Sequence, residues 1–400
     1  MPNALREAFF QWGWLLPAVL PVTQLGGRAL FNSLAGGYAL WGLWSFWSRR
    51  DRLDRAVTGL YLALLGVYLL ELPGSDHPAE GLRSWGMFFM QSLTLPLTQL
   101  ALQDAPPQSE RLLKAMALFG ATTLGGVLLL LPYHSFGWSG QPFDPNLQLQ
   151  EDNLPFLLPF LLYWVWRRDQ GRWRYGAMLG ITAVILGYVA LAEGRAALVG
   201  LIVGLATFCW MVLRWRLRWS ALAALAVLLL GVIANIAPFH KGESDPNHPL
   251  DAFTSGRTIL WRQALDHPPP RFWSGVGIGN GAYAHEVLRF EIGGEQVEVK
   301  HLHNFLLDAW YETGMLGLIL LLALLGLVFG RLAWIWRDLA LEDRERAGVL
   351  LAAALALASA GLLSFSYTSR YFACYFFVCL GGLSAVATVP KAVDTGQDKH

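Results

Sequence analysis

Charge is scarce in this chain. Asp, Glu, Lys and Arg make up 15% of its 400 residues against 54% hydrophobic, and mean hydropathy is +0.40. A soluble domain needs more polar surface than that, so an ordinary globular fold is excluded and a membrane protein is indicated. Cysteine is scarcer still: Cys209, Cys374 and Cys379 all fall in apolar stretches. None has metal-ligand spacing, and no disulfide framework is indicated. The formal net charge of +1 carries little information in such a protein, and no nucleic-acid partner is expected. The first apolar stretch follows Arg6 and lacks a small-residue cleavage site, so it reads as a first span rather than a signal peptide. No internal repeat of transporter type is visible.

What the chain does have is apolar runs able to cross ~30 Å of hydrocarbon. Twelve helices are expected, at roughly 9–25, 28–47, 56–73, 84–102, 112–132, 153–166, 175–193, 196–213, 219–237, 304–336, 349–366 and 371–389. The expected fold is therefore all-α and polytopic. Residues 1–237 hold nine spans, 238–302 a long loop with short helices, 303–390 three further spans, and 391–400 a polar tail. One set of connections carries Arg49, Arg50, Arg52, Arg167, Arg168, Arg172, Arg174, Arg214, Arg216, Arg218, Arg337, Arg344 and Arg346. With both termini that side holds 20 Lys and Arg, against four (Arg28, Arg83, Arg195, Arg370) in the short loops opposite. The positive-inside rule puts the Arg-rich loops and both termini in the cytoplasm. Topology and headgroup contact account for those arginines. The four on the outer side run against the bias.

Loops elsewhere are short, so the 238–302 segment stands out as functional. It holds His240, His248, His267, His285 and His301, with His303 at its edge. The spacings match no zinc pattern, and no metal site is expected. Within it, Ser255 suits an N-cap, Leu260, Trp261, Ala264 and Leu265 recur at helical spacing, and Pro268-Pro269-Pro270 ends the helix. Arg257 falls in the first turn. There a guanidinium either grips a phosphate with paired hydrogen bonds or pairs with a loop carboxylate such as Asp251. Arg195 occupies a tight outer turn, either snorkelling, with Glu193 as a local partner, or facing a polar cavity. Arg370 occupies a similar turn. The run Gly275-Val276-Gly277-Ile278-Gly279-Asn280-Gly281 looks like a nucleotide-binding loop, but it follows no strand and opens no βαβ unit. Flexible packing against the bundle is the better account.

His303-Asn304 heads the tenth span. Histidine suits proton transfer near neutral pH. Asn304 suits an N-cap and Asp308 the first turns. About 20 residues back from Trp336 reach Leu316, so in a straight helix His303 would lie ~20 Å beyond the hydrocarbon. Gly314 and Gly317 allow a bend that brings it closer. A bland alternative is a polar neighbour of the helix cap in contact with water. The two outer arginines and the large covering loop favour a functional histidine.

His303-Asn304 followed nine residues later by Gly314-x-x-Gly317 resembles the signature of bacterial O-antigen ligases. Ser255-Gly256-Arg257, Trp261, Gly275 to Gly279, Leu307 and Glu312 are similar to the core shared with O-antigen polymerases and protein O-oligosaccharyltransferases. The resemblance implies a GT-C-like membrane glycosyltransferase at the outer face of the inner membrane, without metal or other cofactor. It implies an undecaprenyl-pyrophosphate-linked glycan as donor and a sugar hydroxyl of the lipid A core as acceptor. By this match His303 takes the place of the family histidine, Arg257 that of the loop arginine and Arg195 that of an outer-turn arginine. Arg370, His301, Asn304 and Glu312 are weaker site candidates. Polymerase and protein glycosyltransferase activities are the alternatives within the superfamily. A flippase or transporter would place charges inside its spans, and these spans hold few.

Overall fold

The structure is a computed structural model. It describes residues 2–23, 25, 27–46, 49–103, 106–135, 154–168, 171–191, 194–213, 254, 256–292 and 295–388. The expected ninth span (219–237), His240, His248, Asp251, Ser255, Glu193 and the polar tail lie outside the described residues. The helices are α1 (Pro2–Trp12), α2 (Leu15–Thr23), α3 (Gly27–Phe46), α4 (Arg55–Leu70), α5 (Pro78–Ser92), α6 (Thr94–Leu102), α7 (Pro106–Ser135), α8 (Leu154–Arg168), α9 (Trp173–Leu191) and α10 (Arg195–Met211). They continue with α11 (Arg257–Asp266), the one-turn α12 (His285–Leu288), α13 (Phe305–Ile335), α14 (Leu341–Gly361) and α15 (Arg370–Thr388).

Among the described residues, five stretches are long and apolar enough to cross a membrane: Arg55–Gly74, Gln108–Leu129, Trp173–Ala190, Phe305–Ile335 and Arg370–Thr388. This is an α-helical membrane protein, and the other expected spans are shorter, less apolar, or outside the described residues. The expected spans at 9–25 and 84–102 each divide in two. Pro17 and Pro96 sit in the first turns of α2 and α6, where a missing N–H is tolerated, and each frees the carbonyl four residues earlier. The all-α expectation also needs one correction. Arg289–Ile292 (β1) and Glu295–Glu298 (β2) form an antiparallel hairpin, with Phe290 opposite Val297.

Two packing arrangements set the site. First, α10 lies antiparallel against α14 through small residues. Added Cβ atoms on Gly200 and Gly204 would come within 2.8 Å of Ala356, and Gly200 also faces Ala360. Such close approach is how helices pack where lipid removes the hydrophobic drive. It brings Arg195, five residues before Gly200, to the end where α14 finishes. Second, α15 runs through the middle, with every residue from Tyr371 to Val386 buried. By contrast α13 exposes Leu316, Ile319 and Leu322 on its outer side, as a lipid-facing helix does.

The long helix α13 is broken where the sequence allows a bend. Gly314 has φ 63° and ψ −170°, outside helical space. In an unbroken helix, Met315 and Leu316 would donate to the carbonyls of Tyr311 and Glu312. Instead they donate to Phe272 (3.0 Å) and Trp273 (3.3 Å), while Val276 (3.1 Å) and Gly277 (2.7 Å) donate to Tyr311 and Glu312. The glycine run is thus rigidly docked on the kink, which corrects its reading as flexible packing. Gly275, Gly277 and Gly279 all have positive φ, and a Cβ on Gly275 would strike the Glu312 backbone.

Gly314→Ala should lower the thermal unfolding midpoint. It costs ~1–2 kcal/mol for the left-handed backbone, and its Cβ also meets the backbone of Trp273 and Ser274. Gly326→Ala, with nothing within 4 Å, is the control and should not destabilise. Equal melting of the two variants would refute the kink.

Candidate active site

Asn304 caps α13 as its sequence position indicates: its side-chain oxygen accepts from Leu306 N (3.1 Å) and Leu307 N (3.2 Å). One residue earlier, His303 has φ 54°, the one non-glycine residue with positive φ among the described residues. A left-handed histidine costs ~1–3 kcal/mol and persists only where its surroundings impose it. Here they do. The buried Asp308 carboxylate accepts from Leu302 N (2.9 Å), pulling the chain back over the helix start. His303 N donates to His301 Nδ1 (3.2 Å), and the two rings lie 4.1 Å apart.

The His303 ring is oriented by the loop after α14, with Nδ1 3.1 Å from the Ser364 carbonyl. A carbonyl only accepts, so Nδ1 carries the proton and Nε2 presents a lone pair. Burial, then the charge of Arg257, pushes His303 down from 6.5 to about 4. Burial first, then His303 and Arg257, pushes His301 to about 3. Both rings are neutral at pH 7, so the 3.8 Å approach of His301 Nδ1 to Asp308 is not an ion pair.

Arg257 is the first residue of α11 and half-buried. The helix is capped by Gly256 at φ 78°, without a side-chain cap bond, which corrects the assignment of Ser255. One turn on, Trp261 Nε1 donates to Leu302 O at 2.8 Å. That bond turns the Arg257 face of α11 toward His301 and His303. Beneath it, Leu260 and Ala264 pack with Val276, Leu288, Phe290 and Leu302 in a small core of the outer segment.

The remaining candidates separate by role. Arg195 opens α10 at the end of the bundle where α14 gives way to the Ser364 loop. Arg370 opens α15, two residues before Phe372, whose ring lies 5.2 Å from that of Phe305. Glu312 sits in a network of hydrogen bonds. It is buried, and its Oε2 accepts from Gly279 N (3.0 Å) and Tyr367 Oη (2.8 Å), tying the glycine run to the loop after α14. Tyr367 and the Ser364 carbonyl were not legible in the sequence, because their partners lie 55 and 61 residues away. Burial, then Glu312, holds the Tyr367 hydroxyl far above its usual range, so it donates throughout the working pH range. Among the described residues, no group of three or more His, Cys, Asp or Glu is arranged to hold a metal ion.

A neutral, buried histidine with Arg257 nearby thus lies at one end of a helical membrane protein. Comparisons narrow the class. Residues 180–322 match the family described as O-antigen ligase. Over 189 residues the chain is 26% identical to an O-antigen ligase of Salmonella typhimurium, covering 44% of this chain and 45% of that protein. The alignment thus spans less than half of that relative. The family match takes in the segment that holds Arg257 and His303, and both matches carry the description O-antigen ligase.

The two depressed histidines make stability depend on pH. Above about 6.5 folded and unfolded rings are both neutral and the folded state loses nothing. As pH falls from about 6.5 to about 4 the unfolded rings take up protons that the folded ones refuse, so stability falls. Melting midpoints measured across this window should drop less in His301→Phe than in the unsubstituted protein. Parallel curves would contradict the burial of His301.

Proposed function

We propose that this chain is an O-antigen ligase working at the outer face of the bacterial inner membrane, with its Arg-rich loops and termini in the cytoplasm. The donor is a glycan on undecaprenyl pyrophosphate and the acceptor a sugar hydroxyl of the lipid A core. The carrying observation is the His303 ring. Its Nδ1 is spent on Ser364 O, its Nε2 is unprotonated, and Arg257 stands near enough to depress it.

The chemistry follows from those groups. The acceptor hydroxyl attacks the anomeric carbon while His303 Nε2 takes its proton, a role that typically contributes ~10²–10⁴-fold. The bond from that carbon to the pyrophosphate oxygen breaks, and the electron pair leaves with the pyrophosphate. Arg257 and Arg195 stabilise the charge developing there. Arg257 does so through a fork that matches phosphate oxygens. A single displacement inverts the anomeric centre. His301 and Asn304 act through the backbone around His303, and Glu312 through the docked glycine run.

His303→Ala should lower ligation by ~10²–10⁴-fold with expression and donor binding retained. His303→Asn keeps a residue that tolerates the left-handed backbone and should be as inactive yet more stable. Ligation unchanged in either variant would overturn the base assignment. Arg257→Ala should weaken donor engagement more than Arg257→Lys, because lysine keeps the charge and loses the fork. Deleting the gene should remove polymer-bearing lipid A and leave lipid-linked polymer to accumulate. Single-repeat products would instead identify a polymerase, and lost protein glycosylation a protein transferase.

A further inference from the structure

A second built feature lies at the opposite, arginine-rich end of the bundle. A cavity of about 780 Å³ opens there among the ends of α8, α10 and α13 and the starts of α7, α9 and α14. Trp164, Trp166 and Trp336 line it together with Arg168, Arg174 and Arg344. Two carboxylates share the wall, and both are engaged. Glu110 accepts from Tyr163 Oη at 2.7 Å and pairs with Lys114 and Arg346. Glu345 pairs with Arg167 at 3.5 Å.

The three arginines differ. Among the described residues, no carboxylate lies within ion-pair distance of Arg168, Arg174 or Arg344. Arg174 lies over the Trp166 ring (4.3 Å) and Arg168 over the Trp164 ring (5.3 Å). Arg174 Nη2 donates to Tyr175 Oη (2.7 Å) and Arg344 Nη2 to the Arg337 carbonyl, so the acceptor would meet their other N–H groups. The Nε atoms of Arg174 and Arg344 are buried without a hydrogen-bond partner. Buried donors of this kind are costly unless an acceptor meets them.

The cavity also borders an apolar one. Through Met211 and Trp336 it joins an apolar groove of about 540 Å³ between α10, α13 and α14, lined by Phe329, Leu332, Leu351 and Leu355. A free phosphate has no use for that groove, whereas a lipid acyl chain does. Basic pockets between membrane helices suit anionic headgroups. We propose that this end of the bundle binds an anionic phospholipid, with its phosphodiester on Arg174 and Arg344, supported by Arg168, and one acyl chain in the groove. The bound lipid bridges α9, α13 and α14 at the end of α13 away from His303.

Full-length protein in neutral detergent tests this by native mass spectrometry and thermal melting. Phosphatidylglycerol, phosphatidylcholine of the same chains, and inorganic phosphate are added separately. Phosphatidylglycerol should be retained and raise the melting midpoint at concentrations on the order of tenfold below phosphatidylcholine, and phosphate should do neither. Arg174→Ala with Arg344→Ala should erase that preference. Ala333→Phe narrows the groove, leaves the arginines in place and should also weaken retention, so it serves if the double variant fails to fold. Equal response to both lipids, an unchanged preference in Ala333→Phe or in the folded double variant, or a phosphate effect matching phosphatidylglycerol overturns the proposal.

Discussion

The exchange of backbone hydrogen bonds at Gly314 is the constraint on which the His303 end of the molecule depends. Breaking a helix inside an apolar bundle strands carbonyls and N–H groups that neither lipid nor packed side chains can satisfy. Here residues 272–277 supply both kinds of partner. Phe272 and Trp273 accept from Met315 and Leu316, and Val276 and Gly277 donate to Tyr311 and Glu312. The bend and the docking of that segment therefore support each other. Through this contact residues 272–277 become part of the bundle, and the first turns of α13, with His303 ahead of them, take a direction the straight helix would not give.

Carboxylates buried beside the kink extend the same logic. Glu312 joins the glycine run to Tyr367, and Asp308 holds the backbone at Leu302. Buried carboxyls are expensive unless hydrogen-bonded: Glu312 meets two donors, and one oxygen of Asp308 meets Leu302 N. Neither is needed as a proton carrier. They keep a strained, left-handed His303 where the Ser364 carbonyl meets its ring. The cations are deployed differently: Arg257, Arg195 and Arg370 stand at the starts of helices, where backbone N–H groups and the helix dipole also favour an anion.

The two ends of the bundle show how context decides what an arginine does. At one end arginines cluster on tryptophan rings and beside an apolar groove, where a headgroup with its chain fits. At the other Arg257 stands by a neutral imidazole, whose affinity for a proton burial and then that arginine lower. The first arrangement suits binding, the second charge developing during a reaction.

Local chemistry was legible in the residues themselves. Low charge and long apolar runs determined a helical membrane protein, Asn304 its cap and Gly314 its bend, and the spacing from His303 to Gly317 carried a family resemblance. These depend on neighbours in the chain, on composition, or on a backbone conformation only glycine adopts freely. The tertiary structure alone decided the rest. It split two expected spans at their prolines, moved the cap of α11 from Ser255 to Gly256, and folded a hairpin into the outer segment. It tied Glu312 to the glycine run and Tyr367 and set the Ser364 carbonyl against His303. Contacts between residues more than 50 positions apart leave no periodicity or motif, and they form only once packing has brought helix ends together.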